Sequence, residues 1–155
     1  MQREDAYNDG AACALGTGAL CLDKHCGHSE LGATPVEFCD LLLPDGTFAH
    51  IKRADGSQSL SHLFAQGSTS TVLLARNDER FRADLDQLLA TRAPRHQVRV
   101  TRRPSRVVYA VGTRSTLPIH NGLFTIAKVA LLAHSEIIKA TDTQLYLAKI
   151  QRLRL

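Results

Sequence analysis

The stretch Val36-Glu37-Phe38-Cys39-Asp40-Leu41-Leu42-Leu43-Pro44-Asp45-Gly46-Thr47-Phe48-Ala49-His50-Ile51-Lys52-Arg53 reads as two extended segments joined by a tight turn. Proline 44 presets φ for the turn, and Gly46 accepts the left-handed position at its end. Antiparallel strands are therefore predicted over 36–43 and 47–53. With Pro44-Asp45-Gly46 as the loop, Leu43 pairs with Thr47, Asp40 stands opposite His50, and Phe38 stands opposite Lys52. His50 and Lys52 are two apart, so they share one face of their strand. Asp40, His50 and Lys52 are expected in one cluster, with Glu37 on the other face unless a bulge intervenes.

Working outward, Ser59 can cap a helix starting at Leu60, with Leu60, Leu63 and Phe64 on one face. Gly67 and the Ser/Thr run to Thr71 are expected to break it. Phe81, Leu85, Leu88 and Leu89 recur at helical spacing, which predicts a second helix from Asn77, ended by Pro94. The run 106–112, with Val107, Val108, Tyr109 and Val111, has the continuous apolar character of a central buried strand. A helix over 123–133, capped by Asn121, and a closing strand over 144–150 follow. Upstream, residues 1–33 carry weak signals, with one strand expected over 19–24. The order hairpin, helix, strand, helix, strand predicts an α/β domain over 1–155, a mixed central sheet with flanking helices.

Composition agrees with a folded domain. The chain has 155 residues, 44% hydrophobic and 22% charged, which excludes wholesale disorder. The longest apolar stretch, 11–22, is interrupted by Gly16, Thr17 and Gly18 and is too short for a membrane span. The hydrophilic, acidic start lacks the positive end of a secretory peptide. The four cysteines all lie in the first quarter, which does not suggest a disulfide scaffold. A cytoplasmic, reduced protein is expected.

The net charge is +4, and the basic residues are mostly arginine. Arg92, Arg95, Arg99, Arg102, Arg103 and Arg106 fall in one segment that also holds His96 and no acid. Paired guanidinium donors suit phosphate oxygens, so this segment is the candidate nucleic-acid-binding surface, DNA before RNA. The alternative is a solvated basic loop.

Chemistry concentrates on the hairpin. A carboxylate can hold a divalent cation, magnesium or manganese, which polarises phosphate and lowers the pKa of water, while an ammonium stabilises developing charge. Asp40, His50 and Lys52 on adjacent strands before a helix supply those groups. At these residues the chain resembles the core of the PD-(D/E)xK nucleases, the restriction-endonuclease-like superfamily. That pattern implies Asp40 as metal ligand, His50 as second ligand or base in place of the usual acid, and Lys52 as transition-state stabiliser. Gln66 matches a glutamine that some members carry on the following helix. Glu37 and Asp23 are further candidate acids for the metal. The resemblance implies a metal-dependent nuclease hydrolysing phosphodiester bonds; the alternative is a catalytically degenerate binding or assembly module.

A second resemblance covers about residues 6–150. The phrases at 36–42, 50–53, 59–67 and 107–111, with the end of the chain, are similar to an uncharacterised bacterial family of sporadically distributed proteins. Its members are longer, which implies a missing N-terminal region. Patchy distribution implies mobile elements or antiphage defence. A homodimer is a further expectation. Cys21, His25, Cys26 and His28, with Cys39 nearby, invite a zinc reading, although structural zinc normally joins two separated knuckles. His62, beside Leu63 and Phe64, reads as a packing residue.

Overall fold

The structure is a computed structural model that describes residues 8, 10–12, 18–92 and 103–151. Its centre is a five-stranded sheet in the order β1 (Leu20–Cys21), β4 (Leu41–Leu42), β5 (Thr47–Arg53), β6 (Arg106–Thr113), β7 (Gln144–Gln151). A separate ribbon pairs β2 (Cys26–Ser29) with β3 (Gly32–Glu37). Strand β4 runs antiparallel to both β1 and β5, whereas β5, β6 and β7 are mutually parallel. The sheet is thus mixed, and the fold is the α/β class expected.

Parallel neighbours need crossovers, and helices supply them. Helices α1 (Ser57–Ala75) and α2 (Glu79–Arg92) lie between β5 and β6, and α3 (Ile119–Gly122) and α4 (Thr125–Lys139) between β6 and β7. One face of the sheet packs on α1, α2 and α4. Phe48, Leu42, Leu73, Leu74, Phe81 and Leu85 fill one half of that core, and Leu60, Phe64, Val107, Tyr109, Val111 and Ile138 fill the other. Ala49, Ile51 and Ala110 on the opposite face meet Ala12.

The turn forms as its residues dictate. Leu43 N–H donates to Thr47 O at 3.0 Å, Gly46 sits at φ 81°, and Asp45 Oδ1 accepts from Thr47 N–H at 3.0 Å. The ladder pairs Leu42 with Phe48 and Leu41 with Ala49.

The expected single strand over 36–43 is instead two. Residues up to Glu37 belong to β3 and pair with β2; pairing with β5 resumes only at Leu41. Between them Phe38 N–H donates to His25 O and Asp40 N–H to Ala49 O, so Phe38 does not face Lys52 in a ladder. Pairing the first half with β2 buries Phe38 and Cys39 against Phe81 of α2, which one straight strand would not do.

Helix α1 runs through Gly67 and the hydroxyl-rich run, against expectation. Ser70 and Thr71 donate to Gly67 O, and Ser68 to Ala65 O, so these hydroxyls are satisfied by the helix itself and can be buried. Gly67 is needed for packing: a Cβ there would lie 2.5 Å from Cε1 of Tyr109. The helix begins at Ser57 after Gly56, and Ser59 donates to Gly56 O rather than capping. Asn77, at φ 59°, precedes α2, which is capped by Asp78 accepting from Phe81 N–H at 3.0 Å. Asn121 lies within α3, and α4 starts after Phe124 and extends to Lys139, beyond the expected end. Expected strand 19–24 shortens to the two residues of β1.

Candidate active site

Alternation along β5 decides what is buried and what is reachable. Phe48, His50 and Lys52 share the helix-bearing face. Phe48 and His50 are covered by core; Lys52, near the carboxyl end of the strand, lines an open cleft of about 510 Å³. Its other walls include Glu37 at the end of β3, Cys26 of β2, and His62, Gln66 and Thr69 of α1. Outside the carboxyl ends of parallel strands is where α/β sheets commonly take ligands.

Asp40 is fixed by the break between β3 and β4. Its Oδ2 accepts the N–H of Ile51 at 2.5 Å, and its carbonyl accepts from Leu22 N–H at 2.8 Å. The carboxylate thus sits against β5 between His50 and Lys52. Burial pushes its pKa up to about 7; Ile51 opposes this, Asp23 and Glu37 add to it, and Lys52 opposes it. Those influences place Glu37, Asp23 and Lys52 within electrostatic reach of Asp40. The amide of Gln66 donates to Oε2 of Glu37, tying α1 to β3 across the cleft. The bulge allowed for in the sequence reading is real in effect: Glu37 joins Lys52 rather than facing away.

His50 is elsewhere. It is 2% exposed, its ring centre lies 6.0 Å from that of Tyr109, and its Nε2 has no hydrogen-bond partner among the described residues. Burial alone pushes its pKa down to about 4, so the imidazole is neutral at ordinary pH. It lies beneath the cleft and does not line it.

The donor set bears on a cation directly. Among the described residues no three His, Cys, Asp or Glu side chains form a ready-made metal cage. Magnesium does not require one, since it commonly takes one or two carboxylates and completes its shell with water and phosphate. Asp40 and Glu37, within electrostatic reach of each other, are the carboxylates that would take that role, with Asp23 in the surrounding field. The cysteine–histidine cluster does not converge: His28 pairs with Asp84, His25 Nδ1 lies 2.9 Å from Asp23 O, and Cys39 is buried with its thiol pKa pushed well up.

The arginine segment is described only at its ends; Arg95, Arg99 and Arg102 lie outside the described residues. Arg103 pairs with Asp142 at 2.7 Å and Arg106 with Asp45 at 3.1 Å, while an Arg92 Nη2 lies 2.7 Å from His25 Nε2. In the parallel ladder Arg106 is level with Thr47 and Lys52 with Val111. Arg106 therefore enters the sheet about 16 Å along β5 from Lys52.

Sequence reasoning missed His62 and Thr69 as cleft residues. The signal was present: His62, Gln66 and Thr69 recur at i, i+4 and i+7, a polar stripe on an otherwise buried helix.

Fold and cleft together define a mixed α/β domain with acidic, amide and ammonium groups gathered at a strand end. The chain belongs to DUF6119, a family of unknown function, whose match spans residues 1–151. No curated protein and no solved structure matches it. No helix among the described residues is long and apolar enough to cross a membrane.

Proposed function

We propose that this domain binds nucleic acid, DNA before RNA, and hydrolyses its phosphodiester backbone at the cleft between β5 and α1. The observation that carries the reading is the gathering of Glu37, Lys52 and Gln66 on one cleft, with Asp40 within electrostatic reach of Glu37 and Lys52. They come from a strand break, a ribbon end, a sheet strand and a helix. A divalent cation, magnesium or manganese, would be held by Asp40 and Glu37 and would supply charge neutralisation and an acidified water. Lys52 would hold a phosphate oxygen and offset the charge developing on it. Gln66 orients Glu37. His50 is a buried packing residue in this reading. Its placement in bacterial defence or mobile elements, and the likeness to a longer sporadically distributed family, belong to the same proposal.

One observation favours the second reading, a catalytically degenerate nucleic-acid-binding or assembly module. The position where the nuclease pattern carries its second acid holds the neutral, covered imidazole of His50. Incubating supercoiled plasmid and short RNA with magnesium, then manganese, separates the two. Cleavage by the wild type that is lost in Asp40→Ala and Lys52→Ala supports the enzyme. Cleavage that survives both substitutions discards the assigned site, and salt-sensitive binding with no cleavage favours the module.

A further inference from the structure

His62 lies beside the buried Leu63 and Phe64, yet it is itself exposed. It stands on the α1 wall of the cleft with Gln66 and Thr69, bordering the space that Lys52 and Glu37 also line. Among the described residues its imidazole makes no hydrogen bond or ion pair. By contrast, Ser59, Ser61, Ser68, Ser70 and Thr71 of the same helix all donate to main-chain carbonyls. The imidazole does no structural work, and it is open to a molecule in the cleft. Its level along α1 matters too. Gln66 holds Glu37, and His62 lies one turn earlier, about 6 Å along the axis. Phosphoryl transfer sets the attacking and leaving oxygens roughly in line, on opposite sides of phosphorus. The groups that serve those two oxygens must stand apart, and Glu37 and His62 mark two places on the cleft separated by one helical turn.

We infer that His62 is the catalytic acid of this cleft and protonates the leaving sugar oxygen. The role presupposes the hydrolysis proposed above and adds a group for the departing atom. A bond forms between the water oxygen and phosphorus, and the proton of that water passes to solvent. The bond from phosphorus to the bridging sugar oxygen breaks, its electron pair stays on that oxygen, and the imidazolium proton neutralises it. His62 then regains a proton from solvent. Imidazole is the side chain suited to giving and regaining a proton near neutrality. Lys52 serves a non-bridging oxygen in the same reaction, and the thiol of Cys26 and the hydroxyl of Thr69 are weaker proton donors.

A DNA strand with sulfur in place of the leaving oxygen tests this, because a thiolate departs without being protonated. The wild-type products show which bridging oxygen leaves, since one of the new ends keeps the phosphate. His62→Ala should cut the saturated cleavage rate of the ordinary strand about a hundredfold. Its thermal melt should match the wild type's, as the side chain is exposed and makes no bond. On the sulfur strand, with the same metal, the variant should come within about threefold of the wild type. Lys52→Met should keep its loss on both strands. A wild type that cleaves, with His62→Ala its equal, overturns the role of His62 and leaves the hydrolysis in place. So does a loss in His62→Ala of equal size on both strands, or a sulfur strand that rescues Lys52→Met as fully. A wild type that cleaves neither strand overturns the hydrolysis itself, and the role of His62 falls with it.

Discussion

The carboxylate of Asp40 takes the N–H of Ile51 at 2.5 Å, the place a main-chain carbonyl would fill if the strand before the turn were continuous. One side chain thereby ends a ladder and sets a carboxylate within electrostatic reach of Glu37 and Lys52, which line the cleft. The same break frees residues 36–37 to pair with β2, which turns Glu37 towards Lys52 and Gln66. The local geometry that spoils the regular hairpin is the geometry that assembles the site.

That placement makes Asp40 destabilising at neutral pH. Its folded pKa, about 7, exceeds the usual 3.8, so between those values the folded chain keeps a proton that the unfolded chain has lost. The contribution to stability is present below pH 4 and is lost as pH rises through about 7. Three units correspond to at most about 4 kcal/mol. Asp40→Asn keeps an oxygen for Ile51 and removes the charge. Urea denaturation should find it more stable than wild type at pH 8, by about 1–4 kcal/mol, and equal to it at pH 4. Millimolar magnesium at pH 8 should raise the wild-type midpoint and leave Asp40→Asn unmoved; an indifferent wild type removes the cation from the reading.

His50 works in the opposite sense. Its folded pKa, about 4, lies below the usual 6.5, so between those values the unfolded chain binds the extra proton. Stability from this group is complete above pH 6.5 and falls as the solution is acidified towards pH 4. The two residues oppose each other over most of that interval, which flattens the wild-type profile. His50→Leu removes one side of the balance and fills an apolar setting beside Tyr109. Its melting temperature should exceed the wild type's at pH 4.5 and approach it at pH 7.5, by about 3 kcal/mol equivalent at the acid end. Nuclease activity, where found, should survive this substitution, and its loss would return His50 to the reacting groups.

Much of this was legible in the residues. Pro44-Asp45-Gly46 fixed the turn and its register, the apolar run at 107–111 announced the central strand, and the Asp40–Lys52 neighbourhood followed by counting. Three features were not legible, each because tertiary packing overrode a local preference. Gly67 and its hydroxyl neighbours look like a helix break until Tyr109 supplies a reason for a bare backbone. The break at 38–40 depends on β2, whose pairing no periodicity in residues 26–29 declares. His50 alternates with Lys52, yet His50 is buried in the core beside Tyr109 while Lys52 lines the open cleft, so alternation alone assigned both to one open cluster.

Gly67 offers a prediction whose sign separates packing from helix propensity. Alanine in place of glycine within a helix ordinarily stabilises by about 0.5–1 kcal/mol. Here the added Cβ would stand 2.5 Å from Tyr109 Cε1 and 2.7 Å from its hydroxyl, which is itself held at 2.7 Å on Phe64 O. The ring cannot retreat without losing that bond. Gly67→Ala should therefore destabilise by about 1–3 kcal/mol in denaturant titration, and a stabilised variant would show that the ring has room to move.

The separation of Lys52 from Arg106 along β5 predicts a division of labour. Lys52 lines the cleft, whereas Arg106 and Arg103, at the far end of the parallel strands, are each shared with an exposed aspartate. Such surface pairs hold their partners loosely, so phosphate can compete for the guanidinium. Arg103→Gln with Arg106→Gln should weaken DNA binding several-fold at low salt and reduce the salt slope by one to two phosphates' worth, measured by fluorescence anisotropy. At saturating DNA the cleavage rate should be unchanged. Lys52→Met should do the reverse, cutting the saturated rate by about a hundredfold or more with binding reduced only about two- to threefold. Equal losses of rate from both ends of the sheet would mean that the arginines, and not the cleft, contain the reacting groups.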